Sequence, residues 1–317
     1  MAITGPASYL PTTDLFIAHW TSANAALGVA GPISLAANAT VATLTTLRGT
    51  LATQRAAVEA ARNAVEGTRA DIELLKAAML GRMAQFRGKL ESLVPGSRWV
   101  AMLPKAFTVS EGMGLVIPPL DKMEDLWRTY EADVDEILLM GGYTLAGFQA
   151  DLTLLKGHYT AHHQATNALG LARGKRNETQ DTIYDVLKQY RQRIPSEFAG
   201  ESAISETLPR LSPLPGSTPD AVELSGSYDP ATTQAVLAWT APTDESVATL
   251  EVRGSVGPEY DDEDDVLLAT IPATGPHTWT GPFGLGAPGT AAAFKLYSIT
   301  EEGNEKGSNA VTVERPV

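Results

Sequence analysis

A pattern of proline, aspartate and tryptophan occurs twice in this chain, about 107 residues apart. At 10–20 a leucine precedes a proline, an aspartate follows three positions later, and a tryptophan stands six positions further on. The same spacing recurs at 117–127. The motifs L-T-T-L-R-G at 44–49 and L-T-L-L-K-G at 152–157 repeat at nearly the same offset. Because a fixed internal period is the signature of a repeated supersecondary unit, we predict a tandem duplication.

Each repeated unit is predicted to be a short helix followed by a long one. The proline restricts the residue before it, and the aspartate can cap the helix that follows. Between 38 and 93, apolar residues recur at spacings of three, four or seven, the period of one helical face. The two units, at about 10–95 and 117–195, would form an elongated helical bundle at 1–200. We expect Trp20 and Trp127 to be buried at equivalent positions.

The long helical segments raise the question of continuity. Two continuous helices would each measure roughly 75 to 85 Å. Gly49, Gly67, Gly81 and Gly88 lie in the first of them, and a glycine costs about 1 kcal/mol relative to alanine in a helix. The sequence therefore leaves a break or kink open as an alternative to one continuous helix.

The composition changes after residue 200. The stretch 201–218 is rich in proline and serine and cannot continue a helix, so it is predicted to be an extended linker. From 219 to 317, short β-branched runs alternate with Gly, Pro, Asp and Asn, which is typical of a β-sandwich. Seven strands are predicted. The predicted core consists of Trp239, Leu250, Val252, Phe294, Leu296 and Ile299.

Two motifs in this acidic region carry a resemblance to a known family. Residues 237–242 read L-A-W-T-A-P, and residues 294–299 read F-K-L-Y-S-I before Glu302 and Gly303. On these motifs the region 219–317 resembles a fibronectin type III domain, which implies a seven-stranded sandwich.

The resemblance implies that Trp239 is the core tryptophan of the sandwich. Ala292 stands where that family has the tyrosine of its tyrosine corner, so we expect this corner hydrogen bond to be missing. A helical half followed by one such module is similar to uncharacterised bacterial proteins. This layout implies a bacterial adhesion or assembly component without indicating an activity.

The negative charge of the chain lies in its C-terminal part. Residues 1–200 contain 19 Lys and Arg and 19 Asp and Glu, whereas residues 201–317 contain 5 and 18. Since phosphate binding requires a basic patch, nucleic acid is not an expected partner. No apolar run reaches the roughly 20 residues that span a bilayer, so membrane insertion is not expected either.

No catalytic constellation is evident, and we predict that the protein is not an enzyme and has no cofactor. The chain has no cysteine, which excludes thiol nucleophiles and cysteine-ligated metals. The glycines at 284–289 fit G-x-G-x-x-G but precede a predicted strand, so we interpret them as a loop. The first 14 residues lack the basic and apolar regions of a Sec signal peptide. A cytoplasmic location or export by a non-Sec route is therefore expected.

Two clusters are candidates for metal binding. The first consists of five consecutive acidic residues, Asp261, Asp262, Glu263, Asp264 and Asp265. They would bind Ca²⁺ if their carboxylates converged, but their spacing is not that of a calcium loop, and a solvated loop is the alternative. The second consists of His158, His162 and His163, which could hold a transition metal on one helix face. No third ligand is indicated by spacing, and an exposed helix face is the alternative.

The connector at 95–119 is rich in proline and glycine and also apolar, which is typical of a segment that packs against something. The candidate residues for an assembly interface are Trp99, Met102, Leu103, Phe107, Leu115, Val116 and Ile117. A helical half without net charge can approach copies of itself without long-range repulsion. We therefore expect a structural subunit that self-assembles into a filament, sheet, tube or particle and displays an acidic sandwich. The alternative is a binding or adhesion module whose sandwich or acidic loop binds carbohydrate, calcium or a protein.

Overall fold

The computed structural model describes residues 3–28, 31–198, 202–212, 218–262, 265–301 and 303–316. Within these ranges the helices are α1 Tyr9–Leu27, α2 Val41–Leu93, α3 Arg98–Ala101, α4 Met113–Asp133, α5 Leu145–Glu197 and α6 Ala203–Glu206. The strands are β1 Leu224–Asp229, β2 Gln234–Trp239, β3 Val247–Val256, β4 Val266–Pro272, β5 Thr278–Gly281, β6 Ala291–Thr300, β7 Glu305–Gly307 and β8 Val311–Glu314. A helical N-terminal region followed by an antiparallel sheet domain is therefore confirmed.

The chain forms two compact units. The central unit is Ala57–Gly174, and the terminal unit combines Met1–Ala56 with Lys175–Val317. Both long helices contribute residues to each unit. The domain boundaries predicted near 200 and 219 are based on composition. The division into compact units does not test them, and they stay a prediction.

Both long helices have 53 residues. In α2 no break interrupts the described helix at any of its four glycines. The glycine cost is offset because the same helix buries a stripe that includes Leu44, Met79 and Phe86, each without exposed surface. Helix α5 continues past Ile194, its predicted end, and includes Pro195. Since proline removes only its own N–H, Phe198 still donates its N–H to the carbonyl of Ile194 at 3.0 Å.

The predicted capping role of the two repeated aspartates is wrong. Asp14 lies inside α1 and Asp121 lies inside α4, because both helices begin upstream of the prolines. Pro11 is tolerated because it lies in the first turn of α1, where the N–H groups have no intrahelical partner. Pro118 and Pro119 lie inside α4, where the burial of neighbouring side chains such as Leu120 offsets the lost backbone hydrogen bonds. Both aspartates face a basic residue of the following long helix instead. Asp14 pairs with Arg48 at 2.9 Å, and Asp121 pairs with Lys156 at 2.7 Å.

The core of the central unit lies between the second part of α2, α3, α4 and the first part of α5. Trp127 is fully buried, as predicted, and stacks on Phe86 with ring centroids 4.8 Å apart. Phe148 packs on the same indole at 5.8 Å. Three elements that are distant in sequence are thus fixed around one tryptophan.

The helical core of the terminal unit lies between α1, the start of α2 and the end of α5. Trp20 is fully buried, as predicted, and stacks on Tyr190 at 4.5 Å. Part of the predicted linker 201–218 packs here, since Leu211 is buried and α6 provides Ile204. His19 bonds the hydroxyl of Tyr190 at 2.7 Å and the carbonyl of Ile204 at 2.8 Å. The described part of this segment is therefore not simply extended; residues 201 and 213–217 lie outside the described residues.

The sheet domain consists of two antiparallel sheets that share one core. One sheet has the order β1-β2-β5, and the other has the order β4-β3-β6-β7 with β8 also paired to β6. The described residues contain eight strands where seven were predicted; the additional one is β7, a three-residue strand that pairs with β6. The side chain of Asn309 bonds both backbone groups of Leu224, each at 2.9 Å, and so ties the chain to β1 instead of continuing the pairing with β6.

Strand periodicity explains which core predictions are confirmed. Trp239, Leu250, Val252, Phe294 and Leu296 are buried between the sheets. Ile299 is only half-buried, and its prediction as a core residue is wrong. An odd spacing from Leu296 places it on the opposite face of β6.

Candidate functional site

The seven residues predicted for an assembly interface divide into a buried and an exposed group. Four of them belong to the core of the central unit: Trp99, Phe107, Val116 and Ile117. Leu103 is partly buried against that core. Met102 and Leu115 are 58% and 63% exposed and lie on the surface. Five of the seven candidates therefore pack within their own unit, and the other two remain well exposed.

Large exposed apolar side chains are concentrated in the central unit. Among the described residues this unit carries eleven of the fourteen such side chains. They are Leu74, Leu93, Met102, Val109, Met113, Leu115, Val134, Leu138, Met140, Leu154 and Leu171. We call them the exposed apolar set. The sheet domain carries one within its described residues, Leu267.

Ionic and aromatic contacts fix the segments that carry part of this set. Arg98 pairs with Asp133 at 3.1 Å and joins α3 to the end of α4. Arg82 lies over the ring of Tyr143 at 4.1 Å. The Tyr143 hydroxyl donates to Asp151 at 2.5 Å. Burial raises the pKa of Tyr143, and the hydrogen bond to Asp151 adds to this effect.

The three histidines on α5 do not form a metal site with other residues that the structure describes. His162 bonds the hydroxyl of Thr68 at 3.1 Å, and His163 bonds Asn167 at 3.2 Å. Across the described ranges, no group of three or more His, Cys, Asp or Glu could hold a metal ion.

The acidic loop is bound to the outer face of the larger sheet. Asp262 accepts hydrogen bonds from Lys295 at 2.9 Å and from the Tyr297 hydroxyl at 2.8 Å. Asp265 is buried and accepts from the Tyr260 hydroxyl at 2.9 Å. Glu263 and Asp264 lie outside the described residues. Two of the five predicted calcium ligands thus face partners within the sheet domain. A third, Asp261, is half-buried, and its N–H donates to the Ser255 hydroxyl at 3.1 Å.

The side chain of Arg253 on β3 connects this loop to the sheet. Its guanidinium is 5% exposed and donates to Glu251 at 2.7 Å and to Glu305 at 2.8 Å. It also lies 3.8 Å from Asp265 and over the ring of Tyr297. Sequence analysis missed Arg253, because a single arginine in a strand gives no signal that distinguishes a buried side chain from an exposed one.

The pKa values of the network follow from burial and pairing. Burial raises the pKa of Tyr260, and the charge of Asp265 raises it further. Burial also raises the pKa of Asp265, against the opposing charge of Arg253. For Asp262 burial acts in the same upward direction, but the hydrogen bonds from Lys295 and Tyr297 outweigh it and lower the pKa. The arrangement holds the loop on the sheet through ion pairs and hydrogen bonds, in which two basic side chains, Arg253 and Lys295, face four acidic ones.

No helix in the described part of the chain is long and apolar enough to cross a membrane.

The sequence matches no known protein family, and no curated protein matches it. Similar solved structures include pectate lyase PelI from Erwinia chrysanthemi in complex with tetragalacturonic acid, with 21% identity over 29% of this chain and a TM-score of 0.25. The match spans 28% of the pectate lyase chain. An Fn3-like protein from Clostridium thermocellum matches over 32% of this chain and 97% of its own, with 19% identity and a TM-score of 0.25. The FN5 domain of Drosophila Lar matches over 31% of this chain and 98% of its own, with 14% identity and a TM-score of 0.24.

Proposed function

We propose that this protein is a non-enzymatic structural subunit that self-assembles through its helical half and displays its acidic sheet domain to solvent. The observation that supports the proposal is the exposed apolar set of the central unit. Exposed apolar side chains mark a contact surface where they form a contiguous patch, and we infer such a patch within this set. The partner that we propose is a second copy of the chain.

The charge distribution favours a second copy as the partner. The helical half carries 19 basic and 19 acidic residues, so two copies of it approach without long-range repulsion. Residues 201–317 carry 5 basic and 18 acidic residues and repel their counterparts in other copies. The contact therefore forms through helices, and the sheet domains keep the assembly dispersed.

We further propose that the helical half is a tandem duplication. The repeated aspartates support this, since Asp14 and Asp121 pair with Arg48 and Lys156 at corresponding positions of the two long helices. The sequence offsets are 107 residues for the aspartates and 108 for the basic residues.

The tryptophans of the two repeats have matching surroundings as well. Trp20 of α1 stacks on Tyr190 near the end of α5, and Trp127 of α4 stacks on Phe86 near the end of α2. Each short helix thus packs against the end of the long helix of the other repeat. A duplicated subunit offers related surfaces twice, which suits a component that contacts more than one neighbour.

We propose that the sheet domain is of the fibronectin type III kind. Its three-strand and five-strand sheets and the buried Trp239 support this assignment. The alternative function, a binding or adhesion module for carbohydrate, calcium or a protein, would place the contact on this domain.

Light scattering and electron microscopy of the full chain test self-assembly. We expect ordered oligomers whose size increases with protein concentration. The triple substitution Met102→Glu, Leu115→Glu and Met140→Glu should abolish them, because it places three charges within the exposed apolar set. Leu267→Glu on β4 is the matched control and should leave them intact. A full chain that stays monomeric across micromolar concentrations, or a control variant that also dissociates, would overturn the proposal.

A further inference from the structure

A cavity of about 240 Å³ opens within the central unit, between α2, the segment after α3, and α4. Leu80 and Met83 of α2, Leu103 of the connector and Met123 of α4 form apolar walls. Two of these four side chains are methionines, whose flexible thioethers adapt to the shape of a bound chain. The cavity is therefore suited to an aliphatic group.

One cation lies in the wall of this apolar cavity. Arg87 is half-exposed, and its guanidinium donates a hydrogen bond to the carbonyl of Pro104 at 2.8 Å, which fixes its position. The carboxylate of Glu91 lies 3.9 Å from the guanidinium, beyond hydrogen-bond distance. Arg87 therefore retains donor capacity for a second anion.

The chain beside the cavity adds positive charge. Lys105 stands between two residues that line it, Pro104 and Ala106. It is exposed and forms no ion pair with the residues that the structure describes. Arg87 thus lines the cavity, Lys105 is next to two lining residues in sequence, and Glu91 lies 3.9 Å from Arg87. A ligand with one negative charge complements this region better than a neutral or cationic one.

We propose that this cavity binds a medium-chain aliphatic carboxylate. The hydrocarbon chain lies among Leu80, Met83 and Met123, and the carboxylate accepts hydrogen bonds from Arg87. A cavity of about 240 Å³ holds roughly eight groups of the size of a water molecule, at about 30 Å³ each. A chain of about six to eight carbons fills it, and a much longer chain extends into solvent. This ligand site is separate from the proposed self-assembly and does not depend on it.

Methionine methyl NMR tests the site directly, because the full chain has seven methionines. Sodium octanoate is titrated into protein with ¹³C-labelled methionine methyl groups. We expect the signals of Met83 and Met123 to shift in a saturable way. Met113 and Met140, which are exposed outside the cavity, report non-specific binding and should not shift. Equal shifts at all exposed methionines would contradict the proposal.

Substitutions test separately how the charge of Arg87 and the volume of the cavity contribute to octanoate binding. Arg87→Gln should weaken octanoate binding about five- to tenfold, as expected for the loss of one partly exposed charged hydrogen bond. Arg87→Lys should retain part of the affinity. Arg69→Ala removes an exposed arginine of the same helix that pairs with Glu73 at 3.1 Å, and as the matched control it should change nothing. Equal weakening by Arg87→Gln and Arg69→Ala would overturn the role of Arg87.

Filling the cavity provides a second, independent measurement. Ala84 lines it from an exposed position on α2, so Ala84→Phe is compatible with folding and narrows the space. We expect this variant to lose the shifts of Met83 and Met123. Octylammonium should bind the unsubstituted chain more weakly than octanoate, and laurate should gain little affinity over octanoate. If octylammonium binds as tightly as octanoate, or Ala84→Phe leaves binding unchanged, the cavity is not an anionic-amphiphile site.

Discussion

At the scale of single residues, Gly284 explains the glycine pattern at 284–289. The pattern fits a nucleotide-binding motif, but Gly284 allows a loop to pack closely against β6. Its φ is +69°, a backbone conformation that side chains with a Cβ rarely adopt. A Cβ at this position would also lie 2.6 Å from the Cβ of Ala292 on β6. The loop therefore approaches β6 more closely than any other residue type permits.

This geometry predicts that Gly284→Ala destabilises the sheet domain by about 2 to 4 kcal/mol, from strain and steric overlap together. Gly286 is a matched control two positions away, since no atom lies within 4 Å of a Cβ built there and its φ is not positive. Gly286→Ala should change stability by less than about 1 kcal/mol. Urea denaturation of both variants measures the difference, and equal stabilities would contradict the packing argument.

Arg253 is the residue on which the acidic loop depends. Arg253→Ala leaves Glu251, Glu305 and Asp265 without the cation that they share, and removing one partner of a buried pair typically costs 3 to 5 kcal/mol. We expect a loss in that range for the sheet domain in chemical denaturation. Arg69→Ala, which breaks a fully hydrated pair, should cost less than about 1 kcal/mol. Similar losses for both variants would show that the Arg253 network is not stabilising.

Local residue patterns predicted which side chains are buried better than they predicted which side chains contact each other. The burial of Trp20, Trp127 and Trp239 follows from helical and strand periodicity. The buried network of Arg253 does not, because it joins β3 to a loop and to a residue 52 positions away. Contacts between residues so far apart in sequence cannot be predicted from local residue spacing.

At the scale of elements, two tyrosines that bond the acidic loop, Tyr260 next to it and Tyr297 on β6, link its order to pH. Burial raises the pKa of both Tyr260 and Tyr297 above the ordinary value of 10.0. A group with a raised pKa in the folded state contributes stability that is complete below the unfolded value and is lost as pH rises above it. The stability of the sheet domain should therefore fall above about pH 10.

Tyrosinate absorbance and urea denaturation at several pH values check this expectation. Tyr260→Phe removes one of the two groups and should make the alkaline loss of stability less steep, although it also removes the hydrogen bond to Asp265. If all tyrosines ionise near pH 10 while the sheet domain stays folded, Tyr260 and Tyr297 do not have raised pKa values, and the prediction is contradicted.

The boundaries of the elements show where sequence patterns reach their limit. Each unit was predicted to contain a long helix, and α2 and α5 are those helices. The repeated aspartates were assigned to helix caps, but the helices begin further upstream, before Pro11 in α1 and before Pro118 and Pro119 in α4. The strand that was not predicted, β7, has only three residues and pairs with β6, and so short a run gives no clear alternation of apolar and polar residues.

At the scale of the whole molecule, the exposed apolar side chains and the excess acidic charge belong to different parts of the chain. The salt dependence of assembly therefore tests the proposed contact. The proposed contact between copies uses exposed apolar side chains of the central unit, whereas the excess acidic charge belongs to residues 201–317. Salt screens charges over about 10 Å at 0.1 M and about 3 Å at 1 M, but it does not weaken apolar burial.

Assembly should therefore persist or increase as sodium chloride rises from about 0.1 to 1 M, because screening removes the repulsion between acidic domains and leaves the helical contact unchanged. Light scattering of the full chain at fixed protein concentration measures this directly. The triple glutamate variant should stay dissociated at low salt, since its new charges lie in the contact itself. An assembly that dissolves as salt increases would instead identify an ionic interface, and the partner surface would then have to be sought among the charged residues of the helices.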